Sequence, residues 1–164
     1  MIAGIAVVVA VPLLTAFVVA LLTAPAAGGE RSGCLVGFAT QTSIHPPRFL
    51  VCLSRKNRTF RVAREADVLV VHFVPESAEA LAELFGGETG DEVDKLARVA
   101  WREGPGGAPV LEQLDTWFAG RVLDRLDLGD HVGFLLDPIA AEASRGQEPF
   151  RFHHAKRIEA GHEA

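Results

Sequence analysis

A chain of 164 residues with net charge −5, 49% apolar and 23% charged residues is long enough for one buried core and too apolar for disorder. Its acidic balance excludes general nucleic-acid binding, which needs a broad basic face. Two cysteines, Cys34 and Cys52, stand outside any CxxC or Cys/His spacing and require no disulfide; they read as small buried hydrophobes of a reducing compartment.

Met1 to Gly29 carries no charge, enough by itself for a bilayer span or an export leader cleaved near Ala24-Pro25-Ala26. Against both, no Lys or Arg precedes the apolar run and Pro12 interrupts it. Residues 17–23 read equally well as a buried strand closed by a Pro/Gly loop over 25–29. Residues 32–42 alternate two faces, as a strand does, and His45-Pro46-Pro47 breaks it. A third strand covers 48–53. Asn57 and Thr59 are candidate caps for a short helix through about Ala66. Residues 68–74 form an apolar central strand. An amphipathic helix over 77–85 ends at Gly86-Gly87.

Residues 89–98 predict a short charged helix and 104–109 a Gly/Pro loop. Two long strands, 114–126 and 131–139, flank Leu128-Gly129-Asp130 as a hairpin. The tail is polar, with a last strand possible at 149–153. Strands outnumber helices, which predicts a mostly antiparallel sheet or barrel.

From Arg31 to Arg64 there are seven Lys/Arg and no Asp or Glu. Within that run Ser54-Arg55-Lys56-Asn57-Arg58-Thr59 follows a strand and opens a helix, where free N–H groups, hydroxyls and guanidinium groups suit a phosphate. A solvated basic loop capping an ordinary helix fits the same residues. Gly37 to Ser43 offers small and hydroxyl residues to a flat polar ring, or simply forms a polar sheet edge. Walker A, GxGxxG, GxSxG and HExxH patterns are absent. His153-His154 would point to opposite strand faces, so no metal site is expected. His131, following Gly129-Asp130, is the better candidate histidine.

The run SGCLVGFATQTSIHPPRFLVCLSRKNRTF resembles the core of the flavin-reductase-like, FMN-binding split-barrel family. Asp94-Lys95-Leu96 resembles that family's Asp-Lys-Phe, and Ala108-Pro109-Val110-Leu111 followed by Trp117 resembles it in order and spacing. Gly129-Asp130-His131 resembles its Gly-Asp-His. Ser54-Arg55 departs from the Asn-Arg or Asp-Arg common in relatives, and residues before Phe17 match poorly.

The resemblance implies a mainly β fold: a six-stranded antiparallel Greek-key split barrel with a few peripheral helices. It would occupy residues 17–155, after an apolar segment 1–16 and before a tail 156–164. It implies a homodimer with flavin near the subunit interface. Phe38, Ala39, Thr40 and Gln41 would face the isoalloxazine and ribityl chain. Ser54, Arg55, Lys56, Asn57, Arg58 and Thr59 would hold the phosphate. His131 would lie near the nicotinamide or the flavin ring as the catalytic residue, and Val71-His72-Phe73 would add backbone contacts. The cofactor would be FMN, with FAD as the other choice, and NADH or NADPH the co-substrate.

The implied activity is an NAD(P)H-dependent flavin reductase passing hydride from nicotinamide to flavin N5, with a monooxygenase as a possible recipient of reduced flavin. A flavin-binding electron carrier or redox sensor without NAD(P)H turnover is the alternative, and a related barrel for haem or deazaflavin a third. Removing residues through Ala26 would strip the first barrel strand, so the resemblance favours a cytoplasmic protein over an exported or membrane-anchored one. An extra buried segment or a misassigned start would then account for residues 1–16.

Overall fold

The computed structural model of the chain describes residues 20–144, 157–159 and 161. Among the described residues there are nine strands: β1 (Ala20–Pro25), β2 (Arg31–Val36), β3 (Ala39–Ser43), β4 (Arg48–Ser54), β5 (Val68–Phe73), β6 (Trp101–Glu103), β7 (Pro109–Leu111), β8 (Trp117–Asp127) and β9 (His131–Glu142). Two helices accompany them, α1 (Arg58–Ala63) and α2 (Glu79–Gly87).

Seven strands form one antiparallel sheet in the order β2-β1-β5-β8-β9-β4-β3. Its two edges, β2 and β3, are consecutive in the chain and separated only by Gly37-Phe38. A sheet whose opposite edges are joined by two residues has to curl into a barrel. The Cys52 amide donates to the Phe38 carbonyl at 2.9 Å where the chain crosses over. Among the described residues no ladder joins β2 to β4, so the barrel is split along that line.

Alternation along each strand fills the interior. Leu22, Val36, Phe49, Val51, Leu69, Val71, Phe118, Phe134 and Leu136 meet there. Phe49 packs edge-on against Phe118 with ring centroids 5.2 Å apart. The centre of the sheet is covered outside as well. Helix α2 sets Leu81, Ala82 and Phe85 against Leu21 and Val74. The β6–β7 ribbon sets Ala108 and Val110 against Val70, Trp117 and Ala119. Strand β5 is therefore buried on both faces, which explains why its sequence is apolar at every position but His72.

His72 faces outward from β5 under this cover and is fully buried. Its Nε2 accepts the Leu111 amide at 3.0 Å, which leaves Nδ1–H to donate to the Leu21 carbonyl at 3.1 Å. The ring is thus a neutral stitch between β1 and β7, and burial pushes its pKa down to about 4.

The outer face of β4 and β9 has no such cover among the described residues. Leu50, Leu126 and Leu128 converge there over Gly133, where a Cβ would come within 2.8 Å of Leu128.

Nine strands replace the expected six for local reasons. The single strand expected over 32–42 bends at Gly37-Phe38 and becomes β2 and β3. The loop expected over 104–109 is the turn of the β6–β7 ribbon, with Gly106 and Gly107 at φ +67° and +78°. The short helix expected over 89–98 is reduced to a 3₁₀ turn, Leu96–Arg98, whose Ala97 amide donates to the Asp94 carboxylate. Helix α1 is capped by Asn57, which accepts from the Thr59 amide at 2.8 Å; Thr59 is not itself the cap. The hairpin turns at Gly129, φ +100°, as expected. Residues 1–19 and the strand expected at 149–153 lie outside the described residues. No helix among the described residues is long and apolar enough to cross a membrane.

Candidate functional site

The split leaves a cleft of about 210 Å³. Its walls come from β2 with the Gly37-Phe38 crossover, the C-terminal end of β4, the first residue of β9 and the segment after α2. Ile158 from the C-terminal segment closes one side, held by the Gly161 amide donating to the Gly86 carbonyl at 3.2 Å. A second cleft of about 410 Å³, between the start of β2 and residues 90–96, shares Gly90 and Lys95 with the first. The second by itself falls within the range of about 300–1,000 Å³ usual for small-molecule sites.

Of the residues singled out in the sequence, Phe38, Ser54, Asn57 and His131 line the first cleft, and Arg58 lines the second. Phe38 is 54% exposed, unusual for a phenylalanine in a barrel, and its ring stands edge-to-face with His131 at 5.2 Å. The His131 Nδ1 meets the Asp130 carboxylate at 2.7 Å, which orients the ring and leaves Nε2 for a ligand. That contact with His131 is the main cause holding the Asp130 carboxyl below its usual range. Ser54 pairs with His131 across β4 and β9, and its Oγ accepts the Lys56 amide at 3.3 Å.

The other expected residues are placed differently. Ala39, Thr40 and Gln41 run from Phe38 along the edge strand β3, which pairs on one side only. Thr59 is buried, its hydroxyl 2.9 Å from that of Ser32, so it joins α1 to β2. Arg55 binds the Asp127 carboxylate at 2.8 Å and the Gly129 carbonyl at 2.9 Å, pinning the β8–β9 turn. Arg58 binds Glu30 at 2.6 Å, and Arg61 binds Asp91. His72 and its neighbours lie in the sheet beneath the ribbon, away from both clefts.

The run without acids in sequence is thus not without acids in space. Arg31, Arg48, Arg55, Arg58 and Arg61 each meet a carboxylate brought by the fold, and Arg64 meets its chain neighbour Glu65. Exposed pairs of this kind stabilise by about 0–1 kcal/mol each, so their larger effect is to cancel the field of the run.

Residues not singled out as site members also line the first cleft. Cys34 and Cys52 are free thiols; burial pushes Cys34 up to about 11 and raises Cys52, so both present neutral, apolar surface. Lys95 was visible only as the middle of Asp94-Lys95-Leu96, and nothing in its local sequence announces a buried amine. The close approach of α2 to β2 depends on Gly33, where a Cβ would fall 2.9 Å from Phe85, and on Gly86, 2.8 Å from Leu35.

A half-exposed aromatic edge, an oriented imidazole, neutral thiols and hydroxyl and amide groups suit a planar heteroaromatic ring with polar edges. The donor set therefore fits a flavin. Among the described residues no group of His, Cys, Asp and Glu is placed to hold a metal ion.

Comparison with known proteins gives the family and the fold. Residues 14–160 match the family described as flavin reductase like domain. The FMN reductase (NADH) RutF of Methylorubrum extorquens is 32% identical over 127 residues, covering 77% of this chain and 60% of that protein. The stachydrine N-demethylase reductase subunit Stc3 of Rhizobium meliloti is 27% identical, covering 70% of this chain and 48% of that one. Across three such curated relatives the chain spans 36% to 60% of their length. An FMN-binding protein from Thermus thermophilus, solved with bound p-hydroxybenzaldehyde, superposes with a TM-score of 0.71 at 26% identity, covering 76% of this chain and 70% of that one. With the match spanning nearly the whole chain and the split barrel in common, the protein belongs to the flavin reductase like domain family.

Proposed function

We propose that the protein is an NAD(P)H-dependent flavin reductase that takes FMN into the cleft at the barrel split and draws on NADH. The observation that carries this reading is the placement of Phe38 and His131 in edge-to-face contact on one wall of that cleft, in a chain 32% identical to an FMN reductase (NADH). When bound, the flavin supplies the hydride-accepting chemistry, with nicotinamide as donor.

The chain's own residues position and shield. Phe38, Cys34, Leu35 and Cys52 form an apolar wall that excludes water from one side of the ring. Ser54 and Asn57 offer polar groups at the opposite end of β4 from the hairpin turn with β3. Ala39, Thr40 and Gln41 extend the binding surface along the free edge of β3. Asp130 fixes the orientation of His131, so Nε2 can hydrogen-bond a carbonyl or amide of either ring. No strong acid or base is needed, which accords with the lack of a buried carboxylate in either cleft among the described residues.

The uncovered outer face of β4 and β9 favours a homodimer. Leu126 and Leu128 are 37% and 50% exposed, beside Leu50 and next to the cleft that Phe38 opens. A second copy seated on this face would bury them and enclose the flavin. A separate oxygenase as consumer of the reduced flavin is supported by the relative that is a demethylase reductase subunit.

The test is NADH oxidation by the purified protein with and without FMN. The reading predicts oxidation that depends on added FMN and saturates with it. Oxidation no faster than free FMN alone would overturn it.

A further inference from the structure

The described C-terminal residues, 157–159 and 161, form neither helix nor strand, yet they lie against the end of α2. The Gly161 amide donates to the Gly86 carbonyl at 3.2 Å. The Ile158 side chain packs on the apolar cluster under α2 that holds Leu21, Leu81 and Phe85.

Glycines set how close this approach is. A Cβ on Gly161 would fall 2.5 Å from backbone atoms of both Glu88 and Thr89, which cannot turn aside as a side chain can. On the facing stretch, a Cβ on Gly86 would meet Ile158 at 3.4 Å, and one on Gly87 would meet it at 3.6 Å. The two stretches therefore touch backbone to backbone, at Gly161 on one and at Gly86-Gly87 on the other.

That contact lies on the wall of the cleft that Phe38 and His131 also line, since Gly86, Glu88, Thr89 and Ile158 all face it. Ile158 is half-buried beside the open space, so its side chain loses further water contact when a flat ring fills the cleft. The attachment is slight. Among the described residues one backbone hydrogen bond and one apolar side chain hold the segment, Arg157 and Glu159 are exposed, and no ladder joins it to the barrel. A segment so held opens and recloses locally without unfolding the sheet beneath it.

We propose that Ile158 is a flavin-contact residue carried on a strap, latched by Gly161 to the Gly86-Gly87 end of α2, and that this strap sets how long a flavin stays in the cleft. This rests on the flavin reading of the cleft. The strap meets the ring system, so riboflavin and FMN feel it alike.

The experiment compares the wild type with Ile158→Ala, Gly161→Ala and, as an exposed control, Glu159→Ala. Release of riboflavin and of FMN is followed by the recovery of free-flavin fluorescence on dilution, and circular dichroism melting checks each fold. A second readout is limited trypsin cleavage after Arg157, mapped by mass spectrometry, with and without FMN. The proposal predicts release at least about fivefold faster for both ligands in Ile158→Ala and Gly161→Ala, with Glu159→Ala within about twofold of the wild type. It also predicts that FMN slows cleavage after Arg157 at least about threefold in the wild type, and less in Gly161→Ala. Cleavage that FMN leaves unchanged in the wild type overturns the strap. So does faster release of FMN with riboflavin unaltered, which would mark a phosphate contact instead of a ring contact. Flavin binding with release unaltered in both variants removes the strap alone, whereas a wild type that binds neither flavin brings down the flavin reading and the strap together.

Discussion

The buried His72 makes acid stability a sharp test of how the sheet is held. Folding moves its pKa from 6.5 to about 4, chiefly by desolvation. Because the folded value is depressed, the unfolded chain takes up the proton first as pH falls. Stability from the neutral ring is therefore fully present above about pH 6.5 and drains away as pH falls toward 4. At about 1.4 kcal/mol per unit, the loss across that window is about 3 kcal/mol, a large part of a typical net stability of about 5–15 kcal/mol. Urea unfolding followed by the fluorescence of Trp101 and Trp117 at several pH values would measure it. The comparison is His72→Gln, whose amide retains a donor for Leu21 and an acceptor for Leu111 but has no proton to gain. The wild type should lose about 3 kcal/mol more than the variant between about pH 7 and about pH 4. Parallel losses in the two proteins would refute the assignment of His72 as a neutral buried stitch.

Three further outcomes bear on the site. His131→Ala should lower the rate of flavin reduction by at least about tenfold, the scale of one lost positioned group, while FMN affinity stays within about twofold; stopped-flow rates and fluorescence titration measure the two separately. Arg55→Ala should change FMN affinity less than about threefold, because its guanidinium is already spent on Asp127 and the Gly129 carbonyl. A large, phosphate-specific loss would instead return the phosphate to the start of α1. Leu128→Asp, on the uncovered face beside Leu50, should convert a dimer to a monomer in light scattering, and an unchanged mass would remove that face as the subunit contact.

Much of the barrel was legible because period-two patterns and turn residues are local signals. The β8–β9 hairpin around Gly129, the break at Pro46-Pro47 and the doubly buried β5 all follow from short stretches of sequence. The division of β2 from β3 was not, because Gly37-Phe38 continues the alternation and only closure of the sheet forces the bend. The ribbon β6–β7 is three residues per strand, too short for a pattern to register.

The site divides in the same way. Phe38 and His131 come from segments with a family motif, and the fold brings them 5.2 Å apart. The surroundings of the basic run were not legible, since Asp127, Glu30, Asp91 and Glu103 meet it only in the fold. The same holds for Lys95. It sits between Asp94 and Leu96 in a charged stretch that reads as surface, and only the packing of α2 on β2 buries it.

The central claim is that the cleft at the barrel split binds flavin for reduction by a nicotinamide. Its most direct test is anaerobic mixing of the protein–FMN complex with NADH while the visible flavin absorbance is followed. The account predicts bleaching of the bound flavin with saturable dependence on NADH, slowed in His131→Ala. Retention of the oxidised flavin spectrum with both NADH and NADPH would contradict it.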